Sequence, residues 1–306
     1  MSDDMMFSIR VPASTANLGP GFDSIGLALS LYLTVHVYRN EKWVVEPLSE
    51  EMKVFPTDDT HYIIRIAKKV ASQFGKELPP CRLEVHSEIP LARGLGSSAS
   101  AIVAGIQLAD SLCQLNLTTE EKVHLASQEE GHPDNAGASV TGGLVVGEYE
   151  ENETFLLSFP VSNVEMVVVI PKYELLTSDS RNVLPPKLVF KDSVKASAVA
   201  NTFLAAFLSG NYEIAGKMMK KDLFHQPYRK NLVPLLSEVE EIAEQAGAFG
   251  VALSGAGPSV ICFTDNGEKS AQLLDILAVA FSDCTVKLLT VDQEGCVVVN
   301  HAKAVK

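Results

Sequence analysis

The glycines and serines of the segment PLARGLGSSASA, residues 90–101, have the clearest chemical meaning in this sequence. Gly94 and Gly96 can adopt positive φ angles, which lets backbone N–H groups approach a ligand closely. Ser97 and Ser98 add hydroxyl groups at the start of a predicted helix, where free N–H groups and the positive dipole end favour an anion. The segment therefore predicts a phosphate site, although an ordinary helix cap with glycines for close packing would carry the same residues.

Two other phosphate motifs do not fit this segment. The letters GLGSSA, residues 94–99, match the dinucleotide pattern G-x-G-x-x-G/A. In that motif a strand leads directly into the glycines, whereas here Pro90 ends the predicted strand and further residues precede the first glycine. A Walker A loop is excluded because no Gly-Lys-Ser or Gly-Lys-Thr follows. The remaining interpretation is a helix N-terminus that binds the anion directly.

Three further segments combine polar residues with glycines. Residues 12–29 hold an amide at Asn17 and a carboxylate at Asp23, and they exceed the roughly four residues that a β-turn needs, which suits a small-ligand site. Residues 129–143, EEGHPDNAGASVTGG, place a Glu, a His, an Asp and an Asn at a helix-to-loop junction, where capping is the alternative. Residues 254–259, SGAGPS, taken alone favour a hairpin over a backbone nest.

The elements that must position these segments are predicted from hydrophobic periodicity and end signals. Strands are predicted over 5–12, 30–38, 42–47, 81–90, 142–149, 164–171, 250–255, 259–264, 284–291 and 295–300. Helices are predicted over 58–75, 97–115, 119–130, 187–208, 211–221, 232–246 and 267–281. Thr118 and Glu121 form a capping-box pattern before the third helix. Strands and helices mix without strict alternation, so the predicted fold class is α+β.

Composition limits the classes of function. The chain has 306 residues, 46% of them hydrophobic and 21% charged, which is typical of a globular protein of roughly two domains. A net charge of −13 argues against nucleic acid as a partner, because binding to its backbone depends on Lys and Arg. The polar stretch near 150–163 predicts a boundary between domains 1–160 and 161–306.

The sequence also predicts a cytoplasmic location. The acidic N-terminus lacks the apolar region of a signal peptide, and no apolar run reaches the roughly 18 residues of a membrane span. The five cysteines form no CxxC pair, so a disulfide framework or a zinc site is not expected. A polyanion such as ATP would need local positive charge, supplied by a metal ion, by arginines or by a helix N-terminus.

Taken together, the motifs resemble those of the GHMP kinases, the family of galactokinase, homoserine kinase, mevalonate kinase and phosphomevalonate kinase. PLARGLGSSASA is similar to the family's phosphate-binding motif, and GVALSGAGPSV is similar to its C-terminal glycine motif. VPASTANLGPGFDSIGLAL and EGHPDNAGASVTGGLVV resemble the homoserine kinase branch rather than the sugar or mevalonate branches. The resemblance implies a two-domain α+β fold, with a ribosomal-protein-like N-terminal domain that contains a left-handed βαβ unit and a ferredoxin-like C-terminal domain.

The resemblance also implies that ATP phosphorylates the side-chain hydroxyl of L-homoserine, on the route to threonine. The residues implied for ATP binding are Pro90, Leu91, Ala92, Arg93, Gly94, Leu95, Gly96, Ser97, Ser98, Ala99 and Ser100. Ser98 and Glu130 are implied as Mg²⁺ ligands, with Glu129 as the alternative carboxylate. The residues implied for the amino-acid pocket are Asn17, Asp23, His132, Asn135, Arg181 and Arg229.

Within that pocket, the resemblance places Asn17 and Asn135 nearest the reacting hydroxyl and Asp23 near the substrate ammonium. Arg181 and Arg229 would clamp the substrate carboxylate, since a guanidinium offers two parallel hydrogen bonds. Taken without the resemblance, either arginine would be a surface ion-pair partner. A homodimer is common in the family, and other kinases of the superfamily and a non-catalytic binding protein remain the alternatives.

The sequence departs from the family pattern near the adenine. Family members often have an asparagine near the adenine at the start of the first helix, where this sequence has His61 and Tyr62.

The hypothesis for the mechanism is that no dedicated base is required, because phosphoryl transfer depends mainly on positioning and charge stabilisation. Asp23 is the alternative base, although its carboxylate is better suited to the ammonium.

Overall fold

The computed structural model describes residues 5–301. Its strands are β1 (Met5–Asn17), β2 (Gly21–Arg39), β3 (Val44–Pro47), β4 (Cys81–Ser87), β5 (Leu144–Glu150), β6 (Glu153–Phe159), β7 (Glu165–Ile170), β8 (Gly250–Leu253), β9 (Val260–Thr264), β10 (Thr285–Thr290) and β11 (Val297–Asn300). Its helices are α1 (Tyr62–Gln73), α2 (Ser97–Cys113), α3 (Thr119–Glu130), α4 (Pro133–Thr141), α5 (Thr177–Asn182), α6 (Phe190–Leu208), α7 (Tyr212–Met219), α8 (Gln226–Arg229), α9 (Leu235–Gln245) and α10 (Gly267–Ala280).

The first sheet has seven strands, in the order β11-β1-β2-β4-β3, with β5 paired to β2 and β6 paired to β5. The two halves of β2 have different partners, because residues 33–39 pair with β4 and residues 25–27 pair with β5. β3 and β4 pair in parallel across α1 and so form a βαβ unit. The left-handed sense of this unit stays a prediction.

The second sheet has four antiparallel strands in the order β10-β7-β9-β8. The chain runs from β7 through a group of helices to β8 and β9, and then through α10 to β10, which is a ferredoxin-like succession. Side chains alternate between the faces of a strand, and both faces of β7 are covered. Val168 joins the main core with Phe203 of α6, while Val167 and Val169 join a second core with helices α9 and α10.

Helix α2 lies in the main core because its residues are small and apolar. Ile102, Ala104 and Leu108 are fully or almost fully buried. Gly105 allows close packing against α1, since a Cβ there would lie 2.8 Å from the carbonyl oxygen of Ile63. The capping box that Thr118 and Glu121 predict is present at α3, and the predicted helix 119–130 is confirmed.

The structure differs from the predicted elements in three main places. β1 and β2 extend to Asn17 and from Gly21, so most of segment 12–29 is strand rather than loop. β6 was not predicted, because the polar run before it outweighed its short apolar stretch. The short helices α4, α5 and α8 were also missed. α4 lies so close to β2 that a Cβ on Gly26 would be 2.1 Å from the Asp134 carbonyl oxygen. This close packing stabilises α4 as a helix although its sequence has only a weak helical pattern.

Two sequence-based expectations concern the chain as a whole. Within residues 5–301, no helix combines the length and hydrophobicity that crossing a membrane requires. The division into domains 1–160 and 161–306 stays a prediction. The two sheets follow it except for β11, which returns from the end of the chain to pair with β1 in the first sheet.

Candidate active site

One pocket collects most of the residues that the sequence singled out. The predicted residues that line it are Asn17, Asp23, Ala92, Gly94, Gly96, Ser97, Ser98, Ala99, Glu130, His132, Asn135, Arg181 and Arg229. They come from the adjacent ends of β1 and β2, the loop and first turn of α2, the α3–α4 junction, α5 and α8, and these segments are distributed along the chain. The structure therefore brings the separate sequence motifs together in a single site.

The N-terminus of α2 faces this pocket without a side-chain cap. Its N-cap residue is Gly96, with φ 70°, and within residues 5–301 no side-chain hydrogen bond caps the helix. The preceding loop is held by neighbours, since the hydroxyl of Ser254 donates to the Gly94 carbonyl oxygen at 2.6 Å. Uncapped N–H groups and the helix dipole together create an electropositive surface for an anion. The predicted anion site thus has the geometry that such a site needs.

The glycine at position 94 is required by its surroundings as well as by its backbone. Its φ is +74°, and a Cβ there would lie 2.2 Å from the Ser254 carbonyl oxygen and 2.8 Å from that of Gly257. We expect Gly94→Ala to displace the loop and to raise the KM for ATP about tenfold or more, because amide donors separated from a charged phosphate lose about 1.5–3 kcal/mol each. Steady-state kinetics at varied ATP concentration measures this.

The control for Gly94 is Gly75, which also has a positive φ, +64°, but has no atom within 4 Å of the added Cβ. Gly75→Ala should cost about 1–2 kcal/mol of stability from backbone strain alone, and the KM for ATP should not change. Equal kinetic effects of the two substitutions would contradict the close-packing argument for Gly94.

Not every residue predicted for ATP binding turns its side chain to this pocket. Pro90, Leu91, Arg93, Leu95 and Ser100 lie outside its lining. The Arg93 guanidinium donates to the carbonyl oxygens of Pro171, Lys172 and Leu91. The Ser100 hydroxyl donates to the Pro12 carbonyl oxygen at 2.9 Å, and Leu95 is buried. Leu91 lines a second pocket next to the phosphate loop. Any role of the other four residues in ATP binding rests on their main chain or on movement of the side chain, and stays a prediction.

The α3–α4 junction supplies a carboxylate next to the α2 serines. Glu130 is the last residue of α3, and its Oε1 accepts a hydrogen bond of 2.7 Å from the Ser98 hydroxyl. Burial raises the pKa of Glu130, although the Ser98 hydrogen bond opposes that shift. Its neighbour Glu129 instead forms a salt bridge with Lys69 and does not line the pocket. Of the two candidate metal carboxylates, only Glu130 is in position.

A second group of titratable side chains lies beside Glu130. Asp23, His132 and Asp134 have potential ligand atoms within 4.8 Å of one another. Burial disfavours the charged His132 ring, but its 2.6 Å hydrogen bond to Asp134 and the nearby carboxylates outweigh burial and raise its pKa to about 9. His132 is therefore protonated at neutral pH and forms an ion pair with Asp134. In this structure the members of the cluster form ion pairs, His132 with Asp134 and Asp23 with Arg181.

The two arginines have different environments. Arg181 on α5 donates from Nη1 and Nη2 to the two carboxylate oxygens of Asp23, at 3.0 and 2.8 Å. Arg229 is only 2% exposed, and it donates to the carbonyl oxygens of Ser180 and Gly255, at 3.1 Å each. Among residues 5–301, no carboxylate forms a salt bridge with Arg229. The predicted surface alternative is thus excluded for Arg229 by its burial.

The charge on Arg229 persists despite its surroundings. Burial, helped by the nearby positive charge of Arg181, lowers the pKa of Arg229 to about 10, so the guanidinium stays charged at neutral pH. Its Nη2 has no hydrogen-bond partner within residues 5–301, and the residue lines the pocket. A buried charge without a counterion is unfavourable. This arrangement therefore favours an anion in the pocket.

Some of the lining residues were not predicted. Phe22 lies beneath both arginines, with its ring centre 5.6 Å from Cζ of Arg181 and 5.3 Å from Cζ of Arg229. Asp134, Thr177 and Gly255 also line the pocket. Phe22, Asp134 and Gly255 lie within the sequence motifs described above, but no sequence pattern distinguishes Phe22 from a core residue. Its role becomes visible only when α5 and α8 are placed around it.

Comparisons with known proteins agree with this geometry. The chain matches the family model for the GHMP kinases N terminal domain over residues 61–143 and the model for the GHMP kinases C terminal over residues 203–283. A homoserine kinase of Bacillus velezensis is 52% identical over 295 residues, which span 96% of this chain and 95% of the relative. The chain belongs to the homoserine kinase family of the GHMP kinases. A homoserine kinase of Bacillus licheniformis is also 52% identical, over 96% of both chains.

Solved structures confirm the two-domain α+β fold expected for this family. A homoserine kinase structure from Cytophaga hutchinsonii superposes with a TM-score of 0.85 over 98% of this chain and 99% of that chain, at 24% identity. A mevalonate kinase structure reaches 0.70 over 94% of this chain and 99% of that chain, at 20% identity. At these identities the superpositions concern the fold alone.

Proposed function

We propose that this protein transfers the γ-phosphoryl group of ATP to the side-chain hydroxyl of L-homoserine and releases O-phospho-L-homoserine and ADP. One observation carries the proposal: the uncapped N-terminus of α2 and the buried, unpaired Arg229 line the same pocket. The first suits a phosphate, and the second suits the carboxylate of an amino acid. Relatives named homoserine kinases at 52% identity support this assignment.

The amino-acid end of the pocket matches a zwitterion. Arg229 supplies a cation for the carboxylate, and Asp23 supplies an anion for the ammonium. Arg181 and Asp23 are already paired with each other, and both are about a third exposed, at 38% and 34%. A substrate that carries both charges can replace each partner of this pair with one of its own. An alcohol with neither charge, such as a sugar, could not.

The donor set of Ser98 and Glu130 fits Mg²⁺. This cation prefers one or two carboxylates together with nucleotide phosphates, and the hydroxyl and carboxylate oxygens lie side by side next to the α2 N-terminus. Burial disfavours the charged form of the Glu130 carboxylate, and a nearby cation would stabilise that charged form. When bound, the metal would neutralise charge on the phosphate oxygens. We therefore propose Mg²⁺ as the cofactor, held by Ser98 and Glu130.

Asn135 and Asn17, the two residues predicted to orient the reacting hydroxyl, differ in how many of their amide atoms already form hydrogen bonds. The Oδ1 of Asn135 accepts from the Ser14 hydroxyl at 2.9 Å, which directs its amide group to another partner. Both ends of the Asn17 amide are occupied, since Nδ2 donates to Gly255 at 3.1 Å and Oδ1 accepts from the Asp23 N–H at 3.0 Å. We propose that the Asn135 amide orients the reacting hydroxyl of the substrate, while direct contact of Asn17 with that hydroxyl stays a prediction.

No dedicated base is part of the proposed mechanism. The carboxylate oxygens of Asp23 both accept hydrogen bonds from Arg181, and in the proposed complex this carboxylate pairs with the substrate ammonium rather than with the reacting hydroxyl. The charged ring of His132 cannot accept one at neutral pH. The proton of the substrate hydroxyl would then leave to phosphate or water, which is compatible with a loose phosphoryl-transfer transition state.

A second, apolar pocket adjoins the phosphate loop and suits the adenine of ATP. Ser97 lines both pockets, and the walls of the second include Met52, Phe55 and Leu91. His61 is 3% exposed and lines this pocket. Its Nδ1 accepts from the Ile63 N–H at the start of α1, so the proton is on Nε2. That nitrogen is buried without a partner in the described chain and could donate to a ring nitrogen of adenine.

We expect His61→Ser to raise the KM for ATP about 2- to 10-fold, because a neutral hydrogen bond contributes about 0.5–1.5 kcal/mol. Serine can still cap α1 at this position, so the change removes the pocket donor rather than the helix cap. Kinetics with ATP and with an analogue that lacks the acceptor nitrogens of adenine measure the effect. If replacing ATP by the analogue raises the KM by the same factor in the variant and in the wild type, the donor role of His61 is wrong.

The proposed activity is tested by coupled measurement of ADP release. L-Homoserine should support turnover, while mevalonate and shikimate should give only the rate seen without an acceptor. Preferential turnover of another alcohol would assign the protein to a different branch of the GHMP kinases. ATP binding without turnover of any of these alcohols would indicate a binding protein that has kept the fold.

Two further properties complete the proposal. All five cysteines lie within residues 5–301 and are free thiols, which supports the predicted cytoplasmic location because disulfides are rare in that compartment. We propose L-homoserine and ATP as the partners, and a homodimer stays a prediction from the family resemblance.

A further inference from the structure

His225 is a fully buried residue at the N-cap of α8 that neither the sequence motifs nor the proposed mechanism uses. Its Nε2 lies 2.7 Å from the carbonyl oxygen of Gly19, and its Nδ1 lies 3.2 Å from Nη1 of Arg229. Its ring stacks on Phe22, with 5.4 Å between ring centres. His225 therefore contacts two separate parts of the amino-acid end of the pocket.

These contacts determine which nitrogen of His225 holds the proton. A carbonyl oxygen can only accept a hydrogen bond, so Nε2 carries the proton and donates to Gly19. A carboxylate oxygen of Asp222, 3.4 Å from the same nitrogen, favours the same tautomer. Nδ1 is then unprotonated and accepts from Arg229. The ring thus acts as a rigid spacer with a donor at one end and an acceptor at the other.

The Gly19 end of this spacer lies in a strained turn. Asn17, Leu18 and Asp23 have φ angles of 73°, 46° and 55°, a region that side chains other than glycine rarely adopt. Such backbone persists only where its surroundings hold it. Gly19 itself lies against α7, since a Cβ there would be 3.0 Å from the Met219 carbonyl oxygen. The bond from His225 is thus one of the few polar contacts that tie this turn to the second half of the chain.

The Arg229 end closes a ring of hydrogen bonds. Arg229 donates to the Gly255 carbonyl oxygen, which also accepts from Nδ2 of Asn17, at 3.1 Å in both cases. Asn17 in turn flanks the turn whose Gly19 carbonyl accepts from His225. The β1–β2 turn, the Gly255 loop and α8 are consequently held in one mutual arrangement, and removal of the His225 ring would leave two of its contacts open.

We infer that His225 is a positioning residue for substrate recognition, which orients Arg229 toward the substrate carboxylate and holds the turn that presents Asp23 to the substrate ammonium. This inference rests on the proposed function, since it concerns the amino-acid end of the same pocket. It predicts that changes at His225 affect homoserine and leave the nucleotide alone. The phosphate loop is held instead by Ser254 and by β1.

The experiment compares three substitutions at one position. His225→Phe keeps the stacked ring and removes both polar contacts, and it should raise the KM for homoserine about tenfold or more, with the KM for ATP unchanged. His225→Asn places an amide near Nδ1, and His225→Gln places one near Nε2, so each should restore part of the loss. Thermal unfolding shows which variants are folded, and the two amides keep the test open if the phenylalanine variant is not.

A double-mutant cycle with Arg229→Lys identifies the route. If His225 acts through Arg229, the double variant should raise the KM for homoserine by less than the product of the increases in the two single variants. An unchanged KM in folded variants, or an equal rise in the KM for ATP, would overturn the inference. Both outcomes are read against a wild type that phosphorylates homoserine. Failure of the wild type to do so would instead reject the proposed function.

Discussion

Replacing Arg229 by methionine should raise the KM for homoserine at least about 30-fold, because removing one partner of a buried charge pair costs about 2–5 kcal/mol. The guanidinium is 2% exposed and stays charged, and within residues 5–301 no carboxylate forms a salt bridge with it. In the proposed function, the substrate carboxylate therefore supplies the counterion. Methionine fills a similar volume without a charge, so the change tests recognition of the carboxylate rather than packing.

A second substitution at position 229 distinguishes the contribution of the positive charge from that of the planar guanidinium. Arg229→Lys keeps a cation but loses the planar fork that binds a carboxylate through two parallel bonds, so the KM should rise less than with methionine and more than in the wild type. Arg65, exposed on α1, provides the control, and Arg65→Met should change neither KM. Steady-state kinetics with homoserine and ATP varied in turn measures all three variants.

Two results would contradict this account of Arg229. A parallel rise in the KM for ATP would indicate that the variant disturbs the whole pocket. An unchanged KM for homoserine would mean that Arg229 does not bind the carboxylate and that Arg181 alone binds it.

Replacing Glu130 by glutamine should lower kcat about 100-fold or more, since a metal ion supplies several kcal/mol of transition-state stabilisation, at about 1.4 kcal/mol per tenfold change in rate. Glutamine keeps an oxygen that can accept from the Ser98 hydroxyl, so the local hydrogen bond survives. The negative charge toward Mg²⁺ is lost. The variant should also need a higher Mg²⁺ concentration for half-maximal rate.

Glu129 is the matched control, one residue earlier in the same helix. Its salt bridge to Lys69 lies away from the pocket, and a surface ion pair contributes about 1 kcal/mol or less. Glu129→Gln should therefore leave kcat and the Mg²⁺ dependence unchanged. If Glu129→Gln is the damaging substitution, or if Glu130→Gln keeps the wild-type kcat, the proposed metal ligand is wrong.

The difference between Glu129 and Glu130 illustrates what sequence can and cannot resolve. Neighbouring residues in a helix point about 100° apart, because there are 3.6 residues per turn. Without the position of α2, nothing in the segment QEEGHPDN says which carboxylate faces the serines. The Ser98–Glu130 hydrogen bond resolves this choice, and it joins residues that are 32 positions apart.

The segment around Asn17 and Asp23 was interpreted as a ligand-binding connection, and it is one only in part. Both residues line the pocket, but β1 and β2 extend through most of the segment and leave a tight turn between them. The alternation of apolar residues there was hidden by glycines and small polar residues. Those residues are tolerated because α4 lies against β2 and supplies the packing that their side chains do not.

By itself the sequence determined the local features: the small, apolar helix that begins after Gly96, the capping box of α3, the order of strands and helices in the second half, and the motifs that carry the family resemblance. These depend on neighbouring residues or on motifs with fixed spacing. Only the tertiary structure decided that Glu130 rather than Glu129 meets Ser98, that Arg229 is buried without a counterion while Arg181 is paired, and that His225 connects the turn at Gly19 to α8. Burial and pairing depend on distant chain segments, such as Gly19 and His225, which are 206 residues apart, and local residue patterns carry no information about such distances.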